Sequence, residues 1–127
     1  MAYKVFIIST QQDADLAIEL TRRLEKMGTK VTSKKTYASE AINSQIRRSL
    51  DESDEVFVLL TEKSLDSERV TVLVGAAVGL HKPITAILVG VRENQLPLMV
   101  HGMRYLKYVE VDDYISELQS RSEKVVV

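Results

Sequence analysis

Cysteine and tryptophan are absent from this 127-residue sequence, and proline and histidine occur only twice each. Without cysteine there can be no disulfide, no thiol catalysis and no cysteine-ligated zinc or iron–sulfur centre. The two histidines, His81 and His101, are twenty positions apart with no carboxylate motif between them. Metal sites usually gather three or four ligands, so no metal is expected. Glycine is also scarce, with five residues. The polar loop after the first apolar run is Ser9-Thr-Gln-Gln-Asp13 and holds none, which excludes the G-x-G-x-x-G dinucleotide fingerprint. Neither a G-x-x-x-x-G-K-[ST] phosphate loop nor a G-x-S-x-G nucleophile elbow occurs. Charge of one sign is missing too: 17 basic against 18 acidic side chains leaves −1. That balance gives no footprint for nucleic acid or an anionic membrane surface. No apolar run approaches the roughly 18 residues of a membrane span; the longest, Val70 to Leu80, is interrupted by Thr71. Met1 to Thr10 lacks the apolar core and cleavage site of a signal peptide, so a soluble, cytoplasmic protein is expected.

What remains is an alternation of apolar runs with helix-period segments. Tyr3-Lys-Val-Phe-Ile-Ile8 reads as a buried strand. Asp13 is placed to cap a helix carrying Leu16, Ala17, Leu20, Leu24 and Met27, closed by Gly28. Glu19 and Arg23 are spaced to pair on its wet face. Lys30-Val-Thr32 is a weak strand, and Ser39 is expected to cap a helix through Ile42, Ile46 and Leu50. Glu55-Val-Phe-Val-Leu-Leu60 is apolar on both faces, as a central parallel strand is. Periodicity alone leaves Ser67 to His81 open between strand and helix. Ile84 to Val89 is a further strand, Leu96 to Val100 an irregular or one-turn segment, and Tyr105 to Val111 holds a short strand. Asp112 or Asp113 is expected to cap a last helix through Ile115 and Leu118. Residues 123–127 are expected to be a tail, with Val125 to Val127 as a possible edge strand, beyond a single-domain core of about 3–122. Alternating strands and helices imply right-handed crossovers and a parallel sheet covered on both faces. The expected fold is α/β: a flavodoxin-like three-layer sandwich with five parallel strands in the order 2-1-3-4-5. Ligands in such sheets sit beyond the carboxyl ends of the strands, at the switch between strands 1 and 3. A phosphoacceptor receiver would need acidic residues at those ends, where Ser9-Thr10 and Leu60-Thr61 stand instead.

Three stretches together resemble the Toll/interleukin-1 receptor (TIR) domain family, in its bacterial form. They are Val5-Phe-Ile-Ile-Ser-Thr-Gln-Gln-Asp13, Ile46 to Leu60, and Ser64 to Ala77 followed by Lys82-Pro-Ile84. The likeness runs from about residue 4 to about residue 118 and implies the same five-stranded fold. It also implies that Ser67 to His81 is a helix. Many members of the family cleave or cyclise NAD, using a glutamate on that helix within W-x-x-x-E-L-G; others act only by assembling with further TIR domains. Aligned on Gly75-Ala76-Ala77, Arg69 stands at the tryptophan position and Leu73 at the glutamate position. Leucine can neither stabilise positive charge nor move a proton. Asp66 and Glu68 are weak substitutes, because Asp66 reads as the cap of that helix and Glu68 is turned about 140° from position 73 on it. The loop Ser33-Lys-Lys-Thr-Tyr-Ala-Ser39 lacks the Pro-Gly that the family often carries there.

The resemblance therefore implies a catalytically deficient domain for signalling, of the kind used in innate immunity, whose partners are TIR domains of the same or another protein. The alternatives are an NAD nucleosidase with an altered site, or a module that binds NAD without cleaving it; no other cofactor is implied. Ser9, Thr10, Gln11 and Gln12 are candidates to hydrogen-bond a nucleotide's phosphates or ribose, against the reading of a plain polar loop. Thr36 and Tyr37 are candidates for ligand contact. Lys34, Lys35, Tyr37, Ser39 and Arg69 are candidates for the interface between domains, against a solvated loop. Gly75 and Gly79 each cost about 1 kcal/mol of helix stability relative to alanine, so a close approach to the sheet is expected of them.

Overall fold

In the computed structural model, residues 3–34, 43–96 and 102–126 are described, with side chains to residue 120. Strand β1 (Lys4–Ile8), β2 (Lys30–Val31), β3 (Glu55–Leu60), β4 (Ile84–Leu88) and β5 (Arg104–Lys107) form one sheet. All pairings are parallel and the order is β2-β1-β3-β4-β5, as the alternation predicts. Residues of β3 are buried throughout, because β3 has strands on both sides and helices on both faces. Its register sets Phe6 beside Val56 and Val56 beside Ile84.

Alternate side chains of each strand point to opposite faces, which divides the core in two. Phe6, Ile8, Val56, Val58, Leu60 and Ala86 meet α2 (Ser44–Glu52) and α3 (Glu68–Gly79). Val5, Ile7, Phe57, Leu59 and Ile87 meet α1 (Ala14–Lys26) and α4 (Val111–Val126). Helix α3 resolves the ambiguous segment. Its inward residues are Val70, Leu73, Val74 and Ala77.

Several local expectations are corrected by tertiary partners. Asp13 is not a side-chain cap of α1; Thr10 caps the 3₁₀ turn Gln11–Asp13 that leads into it. Asn43 caps α2, and Ser39 and Ile42 lie outside the described residues. Ser67, not Asp66, caps α3 by accepting from the Val70 N–H. Asp112 and Asp113 cap nothing: α4 starts at Val111, after the turn Tyr108–Glu110, and both aspartates sit in its first turn. Arg23 does not pair with Glu19. It reaches Asp112 at 2.9 Å and lies 4.6 Å over the Tyr108 ring. A carboxylate plus an aromatic face outweighs a helix-surface pair worth a few tenths of a kcal/mol. Residues 123–126 of the expected tail are helical instead, since α4 continues through Val126; residue 127 lies outside the described residues. One turn, Glu93–Gln95, precedes Leu96; residues 97–100 lie outside the described residues.

Both α1 and α3 end in paired reverse hydrogen bonds of the Schellman type. For α1 they are Gly28 N–H to Glu25 O and Thr29 N–H to Leu24 O, with Gly28 at φ 86°. For α3 they are His81 N–H to Val78 O and Lys82 N–H to Ala77 O, but the left-handed position, at φ 57°, is held by histidine. A side chain there is strained where glycine is not. His81→Gly is therefore expected to stabilise the fold by roughly 0.5–1 kcal/mol, after allowing for the extra freedom glycine has when unfolded. A shift of the urea midpoint checks it. The neighbouring Lys82 ties α3 to α2: its ammonium donates to the Asp51 and Ser53 carbonyls at 2.6 and 2.8 Å.

Candidate functional site

The crossovers that leave the neighbouring strands β1 and β3 run on opposite faces of the sheet, through α1 and α3. The crevice beyond their carboxyl ends is where such folds bind ligands. Among the described residues, two loops build it. One is Ser9 to Asp13, after β1; the other runs from Thr61, after β3, to the start of α3. Ser9, Thr10, Asp13, Thr61 and Ser64 are all buried in it.

These residues hold one another. The Thr10 hydroxyl donates to Asp13 Oδ2 at 2.8 Å, and the Thr61 hydroxyl donates to the same oxygen at 2.7 Å. The Asp13 N–H in turn donates to Thr10 Oγ1 at 3.1 Å. Ser64 closes the second loop: its Oγ accepts from the Thr61 N–H at 2.7 Å and donates to the Thr61 carbonyl at 2.9 Å. On the other side of β1, the Ser33 hydroxyl accepts from the Ile7 N–H at 2.9 Å. One carboxylate oxygen thus bridges the ends of β1 and β3.

Of the residues singled out from sequence, the structure brings Ser9 and Thr10 into this cluster. Gln11 and Gln12 are exposed beside it. Lys34 faces Glu25, with its Nζ 2.5 Å from the carboxylate, on the surface of α1. Lys35, Thr36, Tyr37 and Ser39 lie outside the described residues. Asp66 and Glu68 are exposed. Arg69, in the first turn of α3, is half-buried, and burial lowers the pKa of its guanidinium. Leu73 is 2 % exposed and packs within the core formed with Phe6, Ile8, Val56 and Val58. Position 73 thus faces the sheet.

Sequence reasoning missed Asp13 and Thr61 as site residues. Asp13 reads as an ordinary cap, and its partner Thr61 is 48 positions away. The available signal was a hydroxyl residue directly after each of the two strands that flank the switch. Gly75 and Gly79 correct a second expectation. Neither approaches the sheet; a Cβ built on either meets nothing within 4 Å. They lie on the outer surface of α3. Among the described residues, no group of three or more metal-ligating side chains occurs, and no helix is long and apolar enough to cross a membrane.

The family model for the TIR domain matches residues 5–122. Among solved structures, the TIR domain of the Toll-related receptor TRR-2 from Hydra magnipapillata superposes with a TM-score of 0.69. It is 19% identical and covers 99% of this chain and 100% of its own. The CMP N-glycosidase BcmB of Clostridium botulinum superposes with a TM-score of 0.59, at 16% identity, covering 91% of this chain and 98% of its own. At these identities both show a shared fold. No curated protein matches the sequence.

Proposed function

Since the chain belongs to the TIR domain family, we propose that it acts by assembling with other TIR domains, its own copies included, and does not cleave NAD. One observation carries the reading: the outer face of α3 is apolar. Surface helices normally turn charged residues to water. Between Glu68 and His81, the outward positions of α3 are Thr71, Val72, Gly75, Val78, Gly79 and Leu80. Val72 is 48 % exposed, Val78 53 % and Leu80 42 %. The two glycines weaken the helix and serve no internal packing. Small residues on an outer face allow another backbone to come close. The charged residues Glu68, Arg69 and Lys82 stand at its ends, giving the apolar centre and polar rim of an interface.

The inward face argues the other half of the proposal. With Leu73 in the core, α3 carries no carboxylate at the position where the family has its glutamate. A domain of this family that keeps its fold but lacks that group retains assembly as its function.

Light scattering over a range of concentrations tests this. The mass of the wild type is expected to rise with concentration. A Val72→Glu/Val78→Glu double variant, altered only on the exposed face, is expected to stay monomeric with unchanged thermal stability. A wild type that remains monomeric at high concentration and retains no TIR domain in pulldowns would sink the proposal. Release of nicotinamide from NAD by the wild type would overturn its non-catalytic half.

A further inference from the structure

The exposed face of α3 has a symmetry of its own about Gly75. We infer that this face pairs with α3 of a second copy of the chain, antiparallel about a two-fold axis at Gly75, and that the pairing closes as a dimer. The inference rests on the assembly proposed above, and it names the partner surface and the stoichiometry.

Successive helical residues are turned by about 100° and rise by about 1.5 Å. Val72 therefore lies about 60° to one side of Gly75, and Val78 about 60° to the other. Gly79 shares the flank of Val72, and Thr71 shares the flank of Val78. All five residues are exposed. Each flank thus carries one valine and one small residue, at nearly equal heights above and below Gly75. A two-fold axis across the helix keeps the flank and reverses the height. In the antiparallel pair, Val72 falls on the partner's Gly79 and Val78 on the partner's Thr71, each within about 1.5 Å of level. The two Gly75 residues meet at the axis. A valine set over a small residue lets the backbones come close. That gives the glycines a use that the single chain does not, since a Cβ built on either meets nothing within 4 Å.

Packing leaves the direction open, because a parallel pair would also set each valine on a small residue. Charge decides it. Glu68 opens α3, and Lys82 follows the turn that ends it. Antiparallel packing brings Glu68 of each copy beside the partner's Lys82 and opposes the two helix dipoles. Parallel packing would set Glu68 against Glu68 and Lys82 against Lys82. The Lys82 ammonium is held by the Asp51 and Ser53 carbonyls. Those acceptors are neutral, so its charge persists. Arg69, about 120° from Gly75, points off the face. A contact in which one surface meets its own copy uses that surface up, so the assembly stops at two.

The chain has no cysteine, so introduced single cysteines report the register. Val72→Cys and Gly79→Cys proteins are mixed and mildly oxidised, beside each variant alone. The mixed disulfide is expected to form at least roughly tenfold faster than either homodimer, because Cα atoms more than about 7 Å apart cannot be bridged. Along the antiparallel pair each of these residues stands about 9–12 Å from its own copy. Sedimentation equilibrium of the wild type is expected to level off at twice the mass of the chain. Glu68→Lys should raise the dissociation constant of the dimer roughly fivefold, since two attractive pairs become repulsive; a parallel pair predicts no change. All three positions are exposed, and thermal melts confirm that the variants fold. Association that climbs past two chains, shows no preference for the mixed disulfide, or is unaffected by Glu68→Lys would overturn this pairing while leaving assembly through another face. No association at any concentration would remove the pairing and the assembly together.

Discussion

A Leu73→Glu variant is expected to lose most of the stability of the domain and to gain no NAD-cleaving activity. The alignment alone makes this substitution look like a repair, because it restores the family's glutamate. The structure says otherwise. Leu73 is 2 % exposed and belongs to the inward stripe Val70, Leu73, Val74 and Ala77. Removing its side chain from such a core costs about 2–5 kcal/mol. A carboxylate in the same place adds the penalty of a buried polar group with no partner. The sum, roughly 4 kcal/mol or more, is comparable to the 5–15 kcal/mol that a typical domain has in total. Burial raises the carboxyl pKa in the folded state, so the neutral form is tolerated better. The penalty should therefore be smallest near pH 4 and grow as the pH rises through neutrality. Urea unfolding of the wild type, Leu73→Ala and Leu73→Glu at both pH values checks the order and the trend. If Leu73→Glu matched the wild type in stability and released nicotinamide from NAD, position 73 would open to the crevice and the orientation of α3 would be wrong.

The contrast between Leu73 and Asp13 shows what can be read from sequence and what cannot. Strand order and core were legible because β3 is Glu55-Val-Phe-Val-Leu-Leu60, a run that only a doubly covered strand explains. The end of α1 at Gly28 was legible from the apolar period stopping there, whereas α3 was read as a helix only through the family resemblance. Caps were not. Asp66 and Ser67 are adjacent, and only geometry decides which oxygen meets the N–H three residues on. Asp13 is the same problem with a larger consequence. Its partner Thr61 is set by the register of β1 on β3, which pairs Ile8 with Val58, and no local rule supplies that. The glycines of α3 were assigned to the wrong side of the helix. A spacing of four marks one face and does not say which face it is.

Glu55→Leu is expected to destabilise the fold by about 3–5 kcal/mol, although it replaces an acid by an apolar residue in a buried strand. In sequence Glu55 is merely the acidic flank of β3. In the structure it is 2 % exposed, at the amino end of the sheet and far from the crevice. Three hydroxyls donate to it. Tyr3, just before β1, reaches Oε1 at 2.7 Å, and Thr85 of β4 reaches Oε2 at 2.6 Å. Tyr114 of α4 reaches both oxygens, at 3.1 and 2.9 Å. Arg104 of β5 donates to the Tyr114 hydroxyl at 2.6 Å and places its charge one residue removed from the carboxylate. The carboxylate thus joins three strands and a helix through neutral donors. Taking it away leaves three hydroxyls without an acceptor, and the cost is theirs as much as its own. Glu55→Gln keeps one acceptor oxygen and should cost about 1–2 kcal/mol. Burial, and then the nearby Glu55, hold the phenol pKa values of Tyr3 and Tyr114 above the ordinary tyrosine range. Raised pKa values mean that this contribution is complete below about pH 10 and is lost as the pH climbs beyond it. Absorbance titration should accordingly find two tyrosines that ionise late in the wild type and earlier, toward the ordinary range, in a Glu55→Leu protein that still folds. Wild-type stability for Glu55→Leu would mean that water replaces the carboxylate, and that burial at this end of the sheet is looser than the structure shows.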